Sequence, residues 1–175
     1  MKIYTKTGDH GHTSLYINGK EHRVPKTHPV IKAIGLIDEC NANIGFAISF
    51  IEDTDVINIL KVIQNDLFSI SAELASTGQN TRLHQSHIDQ IESFIDTYEE
   101  KLPQLTEFIL PTGKGGSMLH VSRTVVRRTE RYLTKRVSEI SKEILIYINR
   151  LSDLLFVFSR FINQEEGIFE SSPTY

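Results

Sequence analysis

A chain of 175 residues, 39% hydrophobic and 23% charged, is long enough for one domain with a real core and has an ordinary globular composition. Its net charge of -3 and pI near 6.2 argue against a general nucleic-acid or membrane-surface binder, so any anion site must be local. A single cysteine, Cys40, rules out an internal disulfide framework and a cysteine-based zinc cluster.

The opening, "KIYTKTGDHGHTSLYINGKEHRVPK" (Lys2 to Lys26), is rich in glycine, hydroxyls and cations rather than in core residues. Such a segment can approach a polyphosphate closely, because glycine lets the backbone in while hydroxyls, N–H groups and ammonium groups donate. Taken alone it also fits a hairpin or a loose arm. No basic region leads into an apolar run, and no stretch of about 18 apolar residues follows, so the expectation is a cytoplasmic protein without a membrane span.

From Pro29 the apolar residues recur every three or four positions, through Ala33, Ile34, Ile37, Asn41, Ile44 and Ile48, which predicts a helix over roughly Val30 to Phe50. Thr54 or Asp55 is a candidate cap for a second helix through Ile59, Ile63, Leu67, Ile70 and Leu74. "STGQNTRLHQS" breaks the period as a loop over 76–87, and a third helix through Ile88, Ile91, Phe94 and Tyr98 stops before Pro103. "FILPTGKGGS" reads as a tight linker, and a fourth helix runs from about Ser117 to Val137. A fifth, from about Lys142 to Asn163, is unusually apolar. Five helices on short connections imply an all-α, five-helix antiparallel bundle preceded by an N-terminal strap. The expected organisation is a single domain: segment 1–28, bundle 29–165 and tail 166–175.

Three places offer chemistry. On the fourth helix Met118, Val121, Val125, Val126, Tyr132, Leu133 and Val137 share one face, while Arg123, Arg127 and Arg131 stack on another. Stacked guanidiniums repel one another, so the stripe is either a solvated face or a site for a phosphate, a carboxylate or a facing subunit. On the fifth helix Asn149, Asp153 and Arg160 fall on one stripe that Phe156 shares, readable as a polar lock with Asp153 held by Arg150 or Arg160, or as a site. Asn41 and Asp38 pose the same choice on the first helix. "PTGKGGS" is not a Walker loop, since Gly115 and Gly116 separate Lys114 from Ser117. It reads as a turn starting the fourth helix, whose N–H groups can face an anion. The seven histidines lack the HExxH and ExxH spacings.

Four segments taken in order, "KIYTKTGDHGHT", "IGLIDECNANIG", "FILPTGKGGSMLHVSRTVVRRTER" and "YINRLSDLLFVFSR", strongly resemble the PduO-type ATP:cob(I)alamin adenosyltransferases. The likeness spans nearly the whole chain, except the "STGQNTRLHQSH" loop and the tail after Asn163. It implies a homotrimer with active sites between neighbouring subunits and transfer of the 5′-deoxyadenosyl group of ATP to cob(I)alamin, with release of triphosphate. Thr5, Lys6, Gly8, Asp9, Gly11 and Lys26 match strap positions around the triphosphate. Arg127, Glu130 and Asn149 match nucleotide positions, with Glu130 at the Mg²⁺ site. Asp38 and Arg123 match a pair joining adjacent subunits beside the corrinoid. Phe108 matches the aromatic that occupies the lower face of cobalamin and so favours four-coordinate, more reducible Co(II), and Phe156 matches a second apolar neighbour of the corrin. A cobalamin reductase and an adenosylcobalamin-dependent enzyme are implied partners; nucleic acid is not. The sequence departs from the family at Cys40, where "DEL" is usual, and at Thr112, where "PGG" is frequent. The second departure bears on the turn beside Phe108. The alternative from another class is a non-catalytic ATP or cobalamin carrier or regulator.

Overall fold

The structure is a computed structural model that describes residues 2–4, 6–17, 19–76, 81–136 and 140–174. After the opening loop, β1 (His12–Ile17) and β2 (Lys20–Pro25) pair antiparallel, His12 opposite Pro25 and Ile17 opposite Lys20. Gly19, at φ +71°, supplies the left-handed residue of the tight turn. Within the hairpin Leu15 and Val24 are buried, and β1 contacts the second helix. The strap is therefore a short ordered ribbon at its C-terminal end.

The helices are α1 (Pro29–Ile48), α2 (Thr54–Ala75), α3 (Gln85–Glu99), α4 (Lys114–Arg136) and α5 (Lys142–Glu165). Proline at N1 and the His28 ring, which accepts from Val30 N, start α1. Neither Thr54 nor Asp55 caps α2: Asp53 does, its carboxylate accepting from Val56 N at 2.8 Å. Ser141 caps α5 through Ile144 N at 3.4 Å.

α4 begins at Lys114, three residues earlier than the period suggests, so Gly115 and Gly116 are helical and buried. Their reason is packing: a methyl on Gly116 would lie 2.3 Å from Asn163 Oδ1, and one on Gly115 would lie 3.1 Å from the Phe50 carbonyl. "PTGKGGS" is thus where α4 starts, with its two inner glycines taken up in packing.

α1 packs on α2 and α4, α4 on α5, and α5 on α3. α5 is buried along most of its length because it meets neighbours on several sides, which accounts for its apolar sequence. Leu60, Leu67, Ile70, Leu119, Val126, Leu133, Leu151, Leu155 and Phe158 are fully enclosed. Val121, expected on the buried face of α4, is exposed. Two polar pairs in this core bridge helices. Asn41 Nδ2 donates to the Gln64 carbonyl at 3.3 Å and Gln64 Nε2 returns to the Asn41 carbonyl at 3.2 Å, a structural role for Asn41. Tyr147 donates to buried Asp66 at 2.7 Å. Among the described residues no helix is long and apolar enough to cross a membrane.

Candidate functional site

One groove of about 500 Å³ lies between α4 and α5, lined by Arg127, Glu130, Arg131, Thr134, Lys135 and Asn149. The helical period aligns Arg127, Glu130, Arg131 and Thr134 on α4. Asn149 Nδ2 donates to Glu130 Oε1 at 2.9 Å, and Arg150 donates to Asn149 Oδ1 at 3.1 Å while pairing with Glu92 at 2.8 Å. This relay fixes the Asn149 amide and leaves a carboxylate edge beside three cations. Arg131 donates to the Arg127 carbonyl at 3.1 Å. Thr134 and Lys135 were not singled out from the sequence, although both lie within one turn of Arg131.

A second groove of about 370 Å³ shares Arg127 with the first and adds Ile95, Glu99, Arg123, Ser152, Asp153, Phe156 and Val157. The Arg123 guanidinium lies 5.9 Å from the Phe156 ring centre, and its Nε is buried without a hydrogen-bond partner among the described residues. Burial, and then the Arg127 cation beside it, hold this guanidinium below its ordinary pKa. Behind Phe156 stands His120, 5% exposed, with Ser159 Oγ at 3.2 Å from Nε2 and no partner on Nδ1 among the described residues. Burial, followed by the Arg123 charge, pushes His120 down to about 4. Asp153 is exposed at the mouth of this groove, where the partial desolvation of its carboxyl raises the pKa against the pull of Arg150 and Arg127. Of the two readings of this stripe, the lock on Asp153 is not seen among the described residues: Arg150 takes Glu92, and Arg160 takes Glu170 at 2.6 Å.

Ahead of the hairpin, Arg23 gathers the loop by donating to the Thr7 carbonyl at 2.6 Å and the His12 carbonyl at 3.3 Å. Lys26 N donates to the Gly11 carbonyl at 2.8 Å, and a methyl on Gly8 would sit 3.2 Å from Lys26 Nζ. Gly8, Gly11 and Lys26 thus converge. Lys6 and Asp9 are exposed beside them, with Lys6 at φ 60° and Asp9 N donating to the Lys6 carbonyl at 3.4 Å. Thr5 lies outside the described residues. Arg23 is the organiser that sequence reasoning passed over, since its role appears once the strands pair.

Asp38 is exposed on α1, and no ion pair joins it to Arg123 within the chain among the described residues. Its neighbour Glu39 pairs with Arg128 of α4 instead. Phe108 stands 81% exposed in the linker between α3 and α4. Cys40 is buried against Thr129 Oγ1 at 3.2 Å, and burial pushes its thiol up to about 11, so the departure from "DEL" is a packing residue.

The cobalamin adenosyltransferase family model matches residues 3–162. A corrinoid adenosyltransferase of Mycobacterium tuberculosis is 40% identical over 179 residues, covering 95% of this chain and 91% of its own. One from Bacillus subtilis is 37% identical over 177 residues, covering 96% and 90%. Among solved structures, a phenylalanine-to-alanine variant of a PduO-type ATP:corrinoid adenosyltransferase from Lactobacillus reuteri, complexed with cobalamin and ATP, superposes with a TM-score of 0.88. It shares 33% identity and covers 99% of this chain and 100% of that one. With the bundle, the twin grooves and these matches together, the chain belongs to the cobalamin adenosyltransferase family.

Proposed function

We propose that the family reaction, transfer of the 5′-deoxyadenosyl group from ATP to the cobalt of cob(I)alamin, takes place where the two grooves meet at Arg127. The observation that carries this reading is the pairing itself: a polar, cation-rich groove and a groove walled by Phe156 share one guanidinium. Arg127, Glu130 and Asn149 take the nucleotide in the first; the corrin ring lies against Phe156 in the second. Phosphate oxygens suit the first groove because guanidiniums bind them with two parallel N–H donors. Lys6, Gly8, Asp9, Gly11 and Lys26, with Thr5, close over the triphosphate. Mg²⁺ fits as part of the nucleotide: no group of three His, Cys, Asp or Glu side chains gathers among the described residues, whereas Glu130 offers the one carboxylate that a phosphate-bound Mg²⁺ requires.

The cobalt(I) electron pair attacks C5′ of ATP, the C5′–O bond breaks, and its electrons leave with triphosphate. The side chains position the reactants and balance the charge on the departing phosphates; no protein nucleophile is needed. The hairpin contacts α2, whereas the proposed nucleotide groove lies between α4 and α5, an arrangement that favours a site completed by a second subunit. The half-buried guanidinium of Arg123, which makes no ion pair among the described residues, and the exposed carboxylate of Asp38 are complementary ends of a contact between copies, in keeping with the homotrimer that the family resemblance implies. Phe108 then reaches the lower face of the corrinoid and displaces its axial ligand.

The test is an anaerobic assay with chemically reduced cob(I)alamin and MgATP. Light-sensitive adenosylcobalamin and released triphosphate are expected together; a folded chain that binds ATP and forms neither product would instead be a carrier or regulator.

A further inference from the structure

The linker that carries Phe108 lacks regular secondary structure, yet it is tied down on both sides of that residue. Arg160 of α5 donates through Nη2 to the Pro103 carbonyl at 2.9 Å. Leu110 N donates to the Ser171 carbonyl at 2.8 Å, and Asn163 Nδ2 donates to Thr112 Oγ1 at 3.2 Å. Two of these ties depend on the segment after α5. The chain turns at Gly167, φ +67°, and Ile168 N returns to the Asn163 carbonyl at 2.8 Å. Glu170 then meets Arg160, with Nε to Oε1 at 2.6 Å and Nη2 to Oε2 at 3.2 Å. Arg160 is 5% exposed, so its charge is enclosed and Glu170 is its anionic partner. Leu102, Pro103, Arg160, Ile168 and Glu170 border a cleft of about 380 Å³ where linker, helix and tail meet.

A buried guanidinium that loses its carboxylate is strongly unfavourable, so the tail and Arg160 dock as a unit. The same guanidinium holds the Pro103 carbonyl, and the same tail holds Leu110. We propose that Arg160 and Glu170 are positioning residues for the reduction of cob(II)alamin that precedes the adenosyl transfer, the docked tail fixing the Phe108 linker at the height the corrinoid lower face requires. This rests on the reading of Phe108 given above.

The chain contains no tryptophan, so Phe108→Trp installs a single tryptophan, excited selectively over the tyrosines, on the linker of the full-length protein. Its emission anisotropy is expected to fall when Glu170→Ala is added. In the chain with Phe108 intact, Glu170→Ala is expected to lower the four-coordinate fraction of bound cob(II)alamin, in the presence of MgATP, by about tenfold, as a misplaced group does. Turnover from pre-reduced cob(I)alamin and the KM for ATP should change far less. Glu170→Gln, which keeps the shape and one acceptor, should fall between, and it reads the same signals if the alanine variant is too unstable. Unchanged anisotropy together with an unchanged cob(II)alamin spectrum in both Glu170 variants overturns the proposal. Phe108→Ala is the control: if it also leaves the spectrum unchanged, the shielding role of Phe108 fails and takes this proposal with it. A normal loss in Phe108→Ala beside unaffected Glu170 variants sinks the clamp alone.

Discussion

Arg123 is the residue whose environment asks most for something outside the chain. Its guanidinium is half-buried beside the Phe156 ring and makes no ion pair among the described residues. Arg123→Ala should therefore lower kcat/KM for cobalamin by about a hundredfold, since transition-state positioning is lost, while calorimetric ATP affinity changes much less. Wild-type turnover in that variant would remove the subunit-bridging role. His120 gives a pH signature. Its ring is held neutral in the fold, with a pKa near 4 against the ordinary 6.5, so the unfolded chain binds the extra proton between those values. Stability contributed by neutral His120 is full above about 6.5 and is lost as pH falls toward about 4. Thermal melts across that window should show a decline that His120→Gln flattens. Cys40, raised to about 11 and buried, should resist iodoacetamide at pH 8 in the native protein and react promptly once urea unfolds it.

Among the elements, α4 and α5 carry most of the proposed chemistry, and their contact depends on two small residues. In an exposed helix Gly→Ala stabilises by about 1 kcal/mol. At Gly116 the sign should reverse, because the new methyl would meet the Asn163 side chain at 2.3 Å in a buried contact. Gly116→Ala is expected to lower the urea midpoint by the equivalent of about 1–3 kcal/mol. Overpacking there also presses on the Asn163 tie to Thr112, so the linker should loosen with it. The α4 start illustrates how such packing overrides local signals. Gly115 and Gly116 look like breakers in the sequence, and helix follows anyway because the backbone of α4 must pass close to Phe50, Ile162 and Asn163.

At the scale of the molecule, the hairpin contacts α2 while the proposed nucleotide groove lies on α4 and α5, and large apolar side chains such as Phe46, Phe68 and Val121 remain exposed. Light scattering at micromolar concentration should return three times the 20.0 kDa chain mass, and a monomer with full activity would refute the shared site. Much of this architecture was legible beforehand. The three-and-four spacing of isoleucines and leucines determined five helices, because an amphipathic stripe has one way to bury itself, and the four motifs in register pointed to the strap, the arginine stripe and Phe108 as one family pattern. Other features required the tertiary structure. Which carboxylate neutralises Arg160, whether Asn41 is structural, that Arg23 gathers the opening loop and that Val121 faces outward all depend on neighbours far along the chain. Periodicity reports which face of a helix is apolar; it carries no information on what packs there, and long-range partners such as Arg160 with Glu170 arise from how helix, linker and tail close on one another.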